Sequence, residues 1–191
     1  MLAIEYKQLM GDTTQTAVWQ QLDEYLNRKW AFKDGREIGI SCTCIDSGGH
    51  STSEVYKYCK PREHRRIFAV KGRGGSAGIP LVGKYSRSNK MNVALFPVGD
   101  DESKTLILSR LMVDQEGEGY IHFPRNKEKG FDTEYFKGLV SEKKVKKYVK
   151  GHLKFEWIKE AGVRNEPIDT MKYGLAALEI LNPNFEVIKR F

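Results

Sequence analysis

Apolar and polar side chains alternate through AIEYKQL (residues 3–9), which predicts a strand. The period then changes. In the segment GDTTQTAVWQQLDEYLNRKW, Val18, Leu22, Tyr25 and Leu26 fall on one helical face, with Asp12 or Thr13 as the capping residue. EIGISCTCID (37–46) is a short, nearly continuous apolar run that predicts one strand buried on both sides. STSEVYKYCK follows as a helix capped by Ser51 or Thr52, with Val55, Tyr56 and Cys59 inward, and RIFAVK is a second buried strand.

Residues 72–90 show no regular period and predict a long loop. MNVALFPV then reads as a strand, DESKTLILSRLMV as a helix with an acidic first turn, and GYIHFP as a short extended piece. DTEYFKGLV predicts one or two helical turns. In YVKGHLKFEWIK, Leu153, Phe155 and Trp157 alternate with His152, Lys154 and Glu156, the pattern of a half-buried strand. The last element, NEPIDTMKYGLAALEIL, is a helix with Pro167 in its first turn and Ile168, Met171, Leu175 and Leu178 along one face. Strands alternating with helices predict a single layered α/β domain over 1–191.

Composition narrows the class. With 191 residues, 40% hydrophobic and 30% charged, the chain suits one globular core. No apolar run approaches the roughly 20 residues that span a bilayer, and MLAIEYKQLMGD is unlike a signal peptide, so no membrane partner is expected. The three cysteines read as reduced thiols of a cytoplasmic protein. The net charge of +7 is concentrated in KPREHRR, KGRGG, GKYSRSNK and SEKKVKKYVKG, a distribution that fits a polyanionic partner.

The glycine loop GRGGSAG lacks the Lys-Ser/Thr of a phosphate loop, and neither Ser47 nor His50 lies in a nucleophile-elbow pattern. Acids stand out instead. Asp46 ends a strand, where α/β sheets place their sites, and Ser47, two glycines and His50 follow it. Asp169 lies in the first turn of the last helix, three residues after Glu166, so both share a side of that turn. Hard divalent cations bind carboxylate oxygens, and acids from separate elements can hold two of them for phosphodiester cleavage. The other reading is of a turn or cap acid at Asp46 and a helix-dipole acid at Asp169.

ISCTCIDSGGHSTSEVYKYCK, RIFAVKGRGG, YIHFP and RNEPIDTMKYGLAALEIL occur in that order along the chain. In these pieces it resembles the C-terminal nuclease domain of phage terminase large subunits of the lambda type. The resemblance implies a ribonuclease H-like mixed sheet flanked by helices, with a two-metal Mg²⁺ or Mn²⁺ site that cuts double-stranded DNA. Asp46 and Asp169 would hold metal, Glu166 would assist, and Lys71, Arg73, Lys84, Arg87 and Lys90 would meet phosphates. It also implies a terminase small subunit and a portal or procapsid as partners, in the host-cell cytoplasm.

Two features depart from the family. No Walker A motif is present, so no ATPase domain is expected. The family's first catalytic Asp has no match either, since neither Glu5 nor Asp12 fits that motif. The expectation is therefore a partial domain without its first two strands, weak in metal affinity and active only if the missing acid is supplied. The alternatives are a non-catalytic DNA-binding or packaging-accessory module and a basic protein that contacts an acidic protein partner.

Overall fold

A computed structural model describes residues 1–74, 79–87, 89–149 and 151–185. The middle of the glycine loop (75–78), Ser88 and Lys150 lie outside the described residues. The chain is mixed α/β and falls into two compact units, one of Leu9–Gly72, Val82–Val98 and Tyr173–Phe191, the other of Met1–Gln8, Arg73–Leu81 and Gly99–Lys172.

In the first of these, helix α1 (Thr16–Leu26) begins later than the sequence suggests. The Asp12 carboxylate accepts from the Thr14 N–H at 2.8 Å, closing a local turn, and Gln15 takes the cap position without a side-chain capping bond. Trp19, Leu22 and Leu26 pack on a buried cluster of Val55, Tyr58, Cys59, Ile67, Ala69 and Val93.

EIGISCTCID is not one strand. Its first part, β2 (Glu37–Gly39), pairs antiparallel with β1 (Lys29–Ala31), while β3 (Thr43–Asp46) pairs parallel with β4 (Ile67–Arg73). Two different partners break the run at residues 40–42, a change that hydrophobicity alone does not reveal. β3 is half-buried rather than buried on both faces. Helix α2 (Thr52–Cys59) and a 3₁₀ turn (Lys60–Arg65) make the crossover to β4, ended by Arg66 in the left-handed region at φ 56°. With β5 (Leu95–Gly99) the sheet order is β3-β4-β5, and β3 is its edge. Val70 and Val98 from this sheet bury against Tyr173 and Ala176.

The other unit holds α3 (Asp100–Leu111), α4 (Thr133–Leu139), β6 (Glu142–Val149), β7 (His152–Lys159) and the first residues of α5 (Glu166–Leu181). Its N-terminal segment is not the strand that AIEYKQL predicts. Leu2 forms an isolated bridge to His122, and the Tyr6 N–H donates to the Lys129 carbonyl at 2.8 Å. The neighbour is an irregular stretch, so the alternation finds no ladder to join.

Asp132 caps α4 by accepting from the Tyr135 N–H at 2.8 Å. Tyr6, Phe123 and Phe131 pack edge-on around Tyr135. β6 and β7 form an antiparallel hairpin, and the half-buried strand expected over 148–159 is largely exposed: Leu153 and Phe155 stand 46% and 49% open. In α5, Ile168 and Leu175 are buried as the pattern requires, while Leu178 faces outward. Among the described residues no helix is long and apolar enough to cross a membrane.

Candidate functional site

Asp46 ends β3 because the chain turns sharply there. Both the N–H and the hydroxyl of Ser47 donate to the Val70 carbonyl, each at 2.8 Å, and Ser47 is buried. That hydroxyl is spent on backbone, so it is no nucleophile. The Asp46 carboxylate is exposed and accepts one bond, from the Gly48 N–H at 2.9 Å. A Cβ on Gly48 would lie 3.1 Å from that carboxylate oxygen, and nothing stands within 4 Å of one on Gly49. The two glycines therefore differ: Gly48 allows the close turn, and Gly49 leaves open space.

Asp169 and Glu166 belong to the other unit, and each is held differently. Asp169 Oδ1 accepts from Lys172 Nζ at 2.8 Å, and Oδ2 from Asn165 Nδ2 at 3.1 Å. The same ammonium reaches Asp100 Oδ1 at 2.8 Å, with the Lys172 side chain only 4% exposed. Asn165 Nδ2 also donates to Glu142 Oε1 at 2.8 Å, and Glu142 Oε2 accepts from Lys104 Nζ at 2.6 Å. Asp100, Lys172, Asp169, Asn165, Glu142 and Lys104 thus form one continuous polar chain.

Glu166 does not join it. Its carboxylate pairs with Arg164 Nη2 at 3.1 Å, and that hydrogen bond holds Glu166 below the usual carboxylate range. It borders a cavity of about 570 Å³ lined also by Tyr6, Asp132, Lys137 and Arg164. The i,i+3 spacing of Glu166 and Asp169 therefore places them on one turn with separate partners.

Asp100, Asn165, Lys172, Glu142 and Lys104 are absent from the sequence-derived candidates. The available signals were the acidic first turn of α3 and the three-residue step from Asp169 to Lys172. Glu142 and Lys104 sit 38 positions apart, and no local pattern links them.

Of the residues expected to meet phosphate, Arg87 is committed within its own unit. It makes a forked contact with Glu63, at 2.7 and 3.2 Å, and donates to the Asn92 carbonyl at 2.9 Å. Arg73, Lys84 and Lys90 are exposed and Lys71 is half-buried.

Hard carboxylate oxygens are the donor type that Mg²⁺ and Mn²⁺ prefer. Asp169 uses two of its roughly four lone-pair sites on Lys172 and Asn165, which leaves capacity for a cation. Among the described residues no group of three or more His, Cys, Asp or Glu side chains is arranged to hold one.

The chain matches the endonuclease domain of terminase large subunit gpA across residues 1–189. It is 32% identical to the terminase large subunit of Escherichia phage lambda over 93% of its own length and 28% of that protein's. With the corresponding subunit of Enterobacteria phage P21 it shares 32% identity over 90% of this chain and 27% of the relative. The chain thus spans little more than a quarter of these relatives. No solved structure matches it.

Proposed function

This chain belongs to the family of the terminase large subunit gpA endonuclease domain, and on that premise we propose that it is a metal-dependent endonuclease acting on double-stranded DNA in viral DNA packaging. The observation that carries this reading is the family match over nearly every residue, which includes the segments bearing Asp46, Glu166 and Asp169.

In this proposal the fold is ribonuclease H-like, and Asp46 and Asp169 supply the metal-holding carboxylates. A bound Mg²⁺ or Mn²⁺ would lower the pKa of a water and offset charge on the scissile phosphodiester. Asn165 and Lys172 fix the two oxygens of Asp169, so its orientation is set before any substrate arrives. Glu166, kept ionised by Arg164, would assist as a carboxylate contact to metal or to a metal-bound water. Exposed Arg73, Lys84 and Lys90, with Lys71, would contribute phosphate contacts that position the duplex without reading its sequence. The natural partners would be a terminase small subunit and a portal or procapsid, met in the host-cell cytoplasm.

A second reading, a non-catalytic DNA-binding or packaging-accessory module, is favoured by the ammonium of Lys172 lying between Asp100 and Asp169, which already neutralises much of their charge. Plasmid nicking with Mn²⁺ separates the two. Loss of nicking in Asp46→Asn or Asp169→Asn supports the nuclease. Salt-sensitive DNA binding with no cleavage by the wild-type chain supports the module.

A further inference from the structure

The β6–β7 hairpin carries a charge and side-chain pattern that none of the roles above uses. Residues 142–159 contain seven lysines against two glutamates. Both acids are already paired: Glu142 is buried against Lys104, and Glu156 accepts from Lys147 at 2.7 Å. Lys143, Lys144, Lys146, Lys147, Lys154 and Lys159 are all exposed.

The register sorts these residues onto two faces. Side chains of paired residues share a face, and alternate residues switch it. Tyr148 with Leu153, Lys146 with Phe155 and Lys144 with Trp157 therefore line one face, and Lys143 with Ile158 and Lys147 with Lys154 the other. On the first face Lys144 Nζ lies 5.4 Å from the Phe155 ring centre and 5.8 Å from that of Trp157. Tyr148 is 75% exposed, and Leu153 and Phe155 about half exposed. Together these open side chains form an apolar strip on a lysine-rich ribbon, the kind of surface that marks a contact site.

The base of the ribbon is firmly anchored. Trp157 Nε1 donates to Asp101 Oδ1 at 2.6 Å, the Glu160 N–H donates to the Ser141 carbonyl at 2.8 Å, and Glu142 is tied to Lys104 and Asn165.

We propose that the β6–β7 hairpin is a binding ribbon for double-stranded DNA, lying between two rows of phosphates with Tyr148, Leu153 and Phe155 toward the base edges. The proposal rests on the reading of duplex DNA as substrate and adds the surface that grips it. The face that carries Tyr148, Leu153 and Phe155 also carries Lys144 and Lys146, whose long side chains reach sideways to the phosphate rows flanking the ribbon, and the lysines of the opposite face extend that charge along its edges. The major groove, about 12 Å wide, admits a two-stranded β-ribbon, and the methyl of thymine offers apolar contact there.

The test measures duplex binding by fluorescence anisotropy across a salt series, with thermal melting of each variant to show it is folded. Lys144→Gln/Lys146→Gln is expected to weaken binding about tenfold and to flatten the log–log salt slope by about 1.8, the share of two lost phosphate contacts. Tyr148→Ala should weaken binding with the salt slope unchanged. The charge-matched Lys33→Gln/Lys127→Gln should bind nearly as wild type.

Wild-type binding by the folded lysine variant overturns the proposal, while the nuclease reading still stands if Asp169→Asn abolishes nicking. Equal weakening in the charge-matched control also overturns it, because net charge alone would then explain the loss. So does a wild-type chain that binds duplex RNA as tightly as DNA, or that binds polyglutamate and no duplex.

Discussion

Lys172 and Asp169 lie three residues apart on one turn of α5, with Nζ 2.8 Å from Oδ1, and the same ammonium is 2.8 Å from Asp100 Oδ1 in the first turn of α3. One buried cation thus fixes two carboxylates from elements about seventy residues apart in sequence. The arrangement gives α5 a rotational register, since turning the helix would strand the ammonium in an apolar setting.

Lys172→Met should therefore destabilise the chain by about 2–4 kcal/mol in urea unfolding. Removing one partner from a fully buried ion pair costs about 3–5 kcal/mol. The lower figure applies because Asp100 and Asp169 are 23% and 32% exposed and regain some hydration. Adding Asp100→Asn to Lys172→Met should recover part of the loss, since one unpaired carboxylate is then gone. Purely additive costs would show that the contact contributes no coupling.

Glu142→Gln tests the next link. Lys104 and Glu142 are 9% and 6% exposed and lie 2.6 Å apart, so the variant leaves a buried ammonium facing a neutral amide. A loss of about 3–5 kcal/mol is expected. The double variant Lys104→Met/Glu142→Leu should cost less than Glu142→Gln alone, because it removes both charges together. Chemical denaturation of the three proteins checks the order.

These networks also show where a sequence stops being readable. Helices announced by a period of three to four residues form close to where they are expected, as with Val55 and Cys59 in α2 and Ile168 and Leu175 in α5. Pairing is less visible. Residues 37–46 look like one strand because hydrophobicity does not say which neighbour each half will choose. Residues 142–149 look like a charge run because exposed lysines can occupy either face of a strand. Asp46, Glu166 and Asp169 stand out as candidates through motif order, whereas Lys172, Asp100 and Glu142 depend on contacts across long sequence distances. A buried lysine reads as a surface lysine until its two acids are seen.

Acid should weaken the packing of α1 through Asp23. Hydrogen bonds from Arg62, and further from Tyr58 and Arg65, outweigh burial and lower the pKa of Asp23 below its ordinary 3.8. A carboxylate depressed in the folded state contributes stability that is complete above its unfolded value and is lost as pH falls through the folded one. Unfolding free energy should therefore decline from about pH 5 downward, and Asp23→Asn should flatten that decline while lowering stability at pH 7. An acid limb of unchanged slope in the variant would assign the effect to other groups.

Two glycines in neighbouring helices should respond in opposite directions to alanine. A Cβ on Gly138 of α4 would meet the Arg164 carbonyl oxygen at 2.7 Å and the Pro167 ring at 2.7 and 2.8 Å. Those are backbone and ring atoms that cannot rotate aside, so overpacking of about 1–3 kcal/mol is expected. It is offset by up to about 1 kcal/mol of helix propensity. A Cβ on Gly174 of α5 would meet nothing within 4 Å, so Gly174→Ala should stabilise by up to about 1 kcal/mol. The strain in Gly138→Ala falls on the segment carrying Asn165 and Glu166, which orient Asp169 and border the cavity. Mn²⁺-dependent nicking by Gly138→Ala should consequently drop even at temperatures where the variant is fully folded. Gly174→Ala should nick as wild type, and equal nicking by both variants would mean that Gly138 shapes only stability.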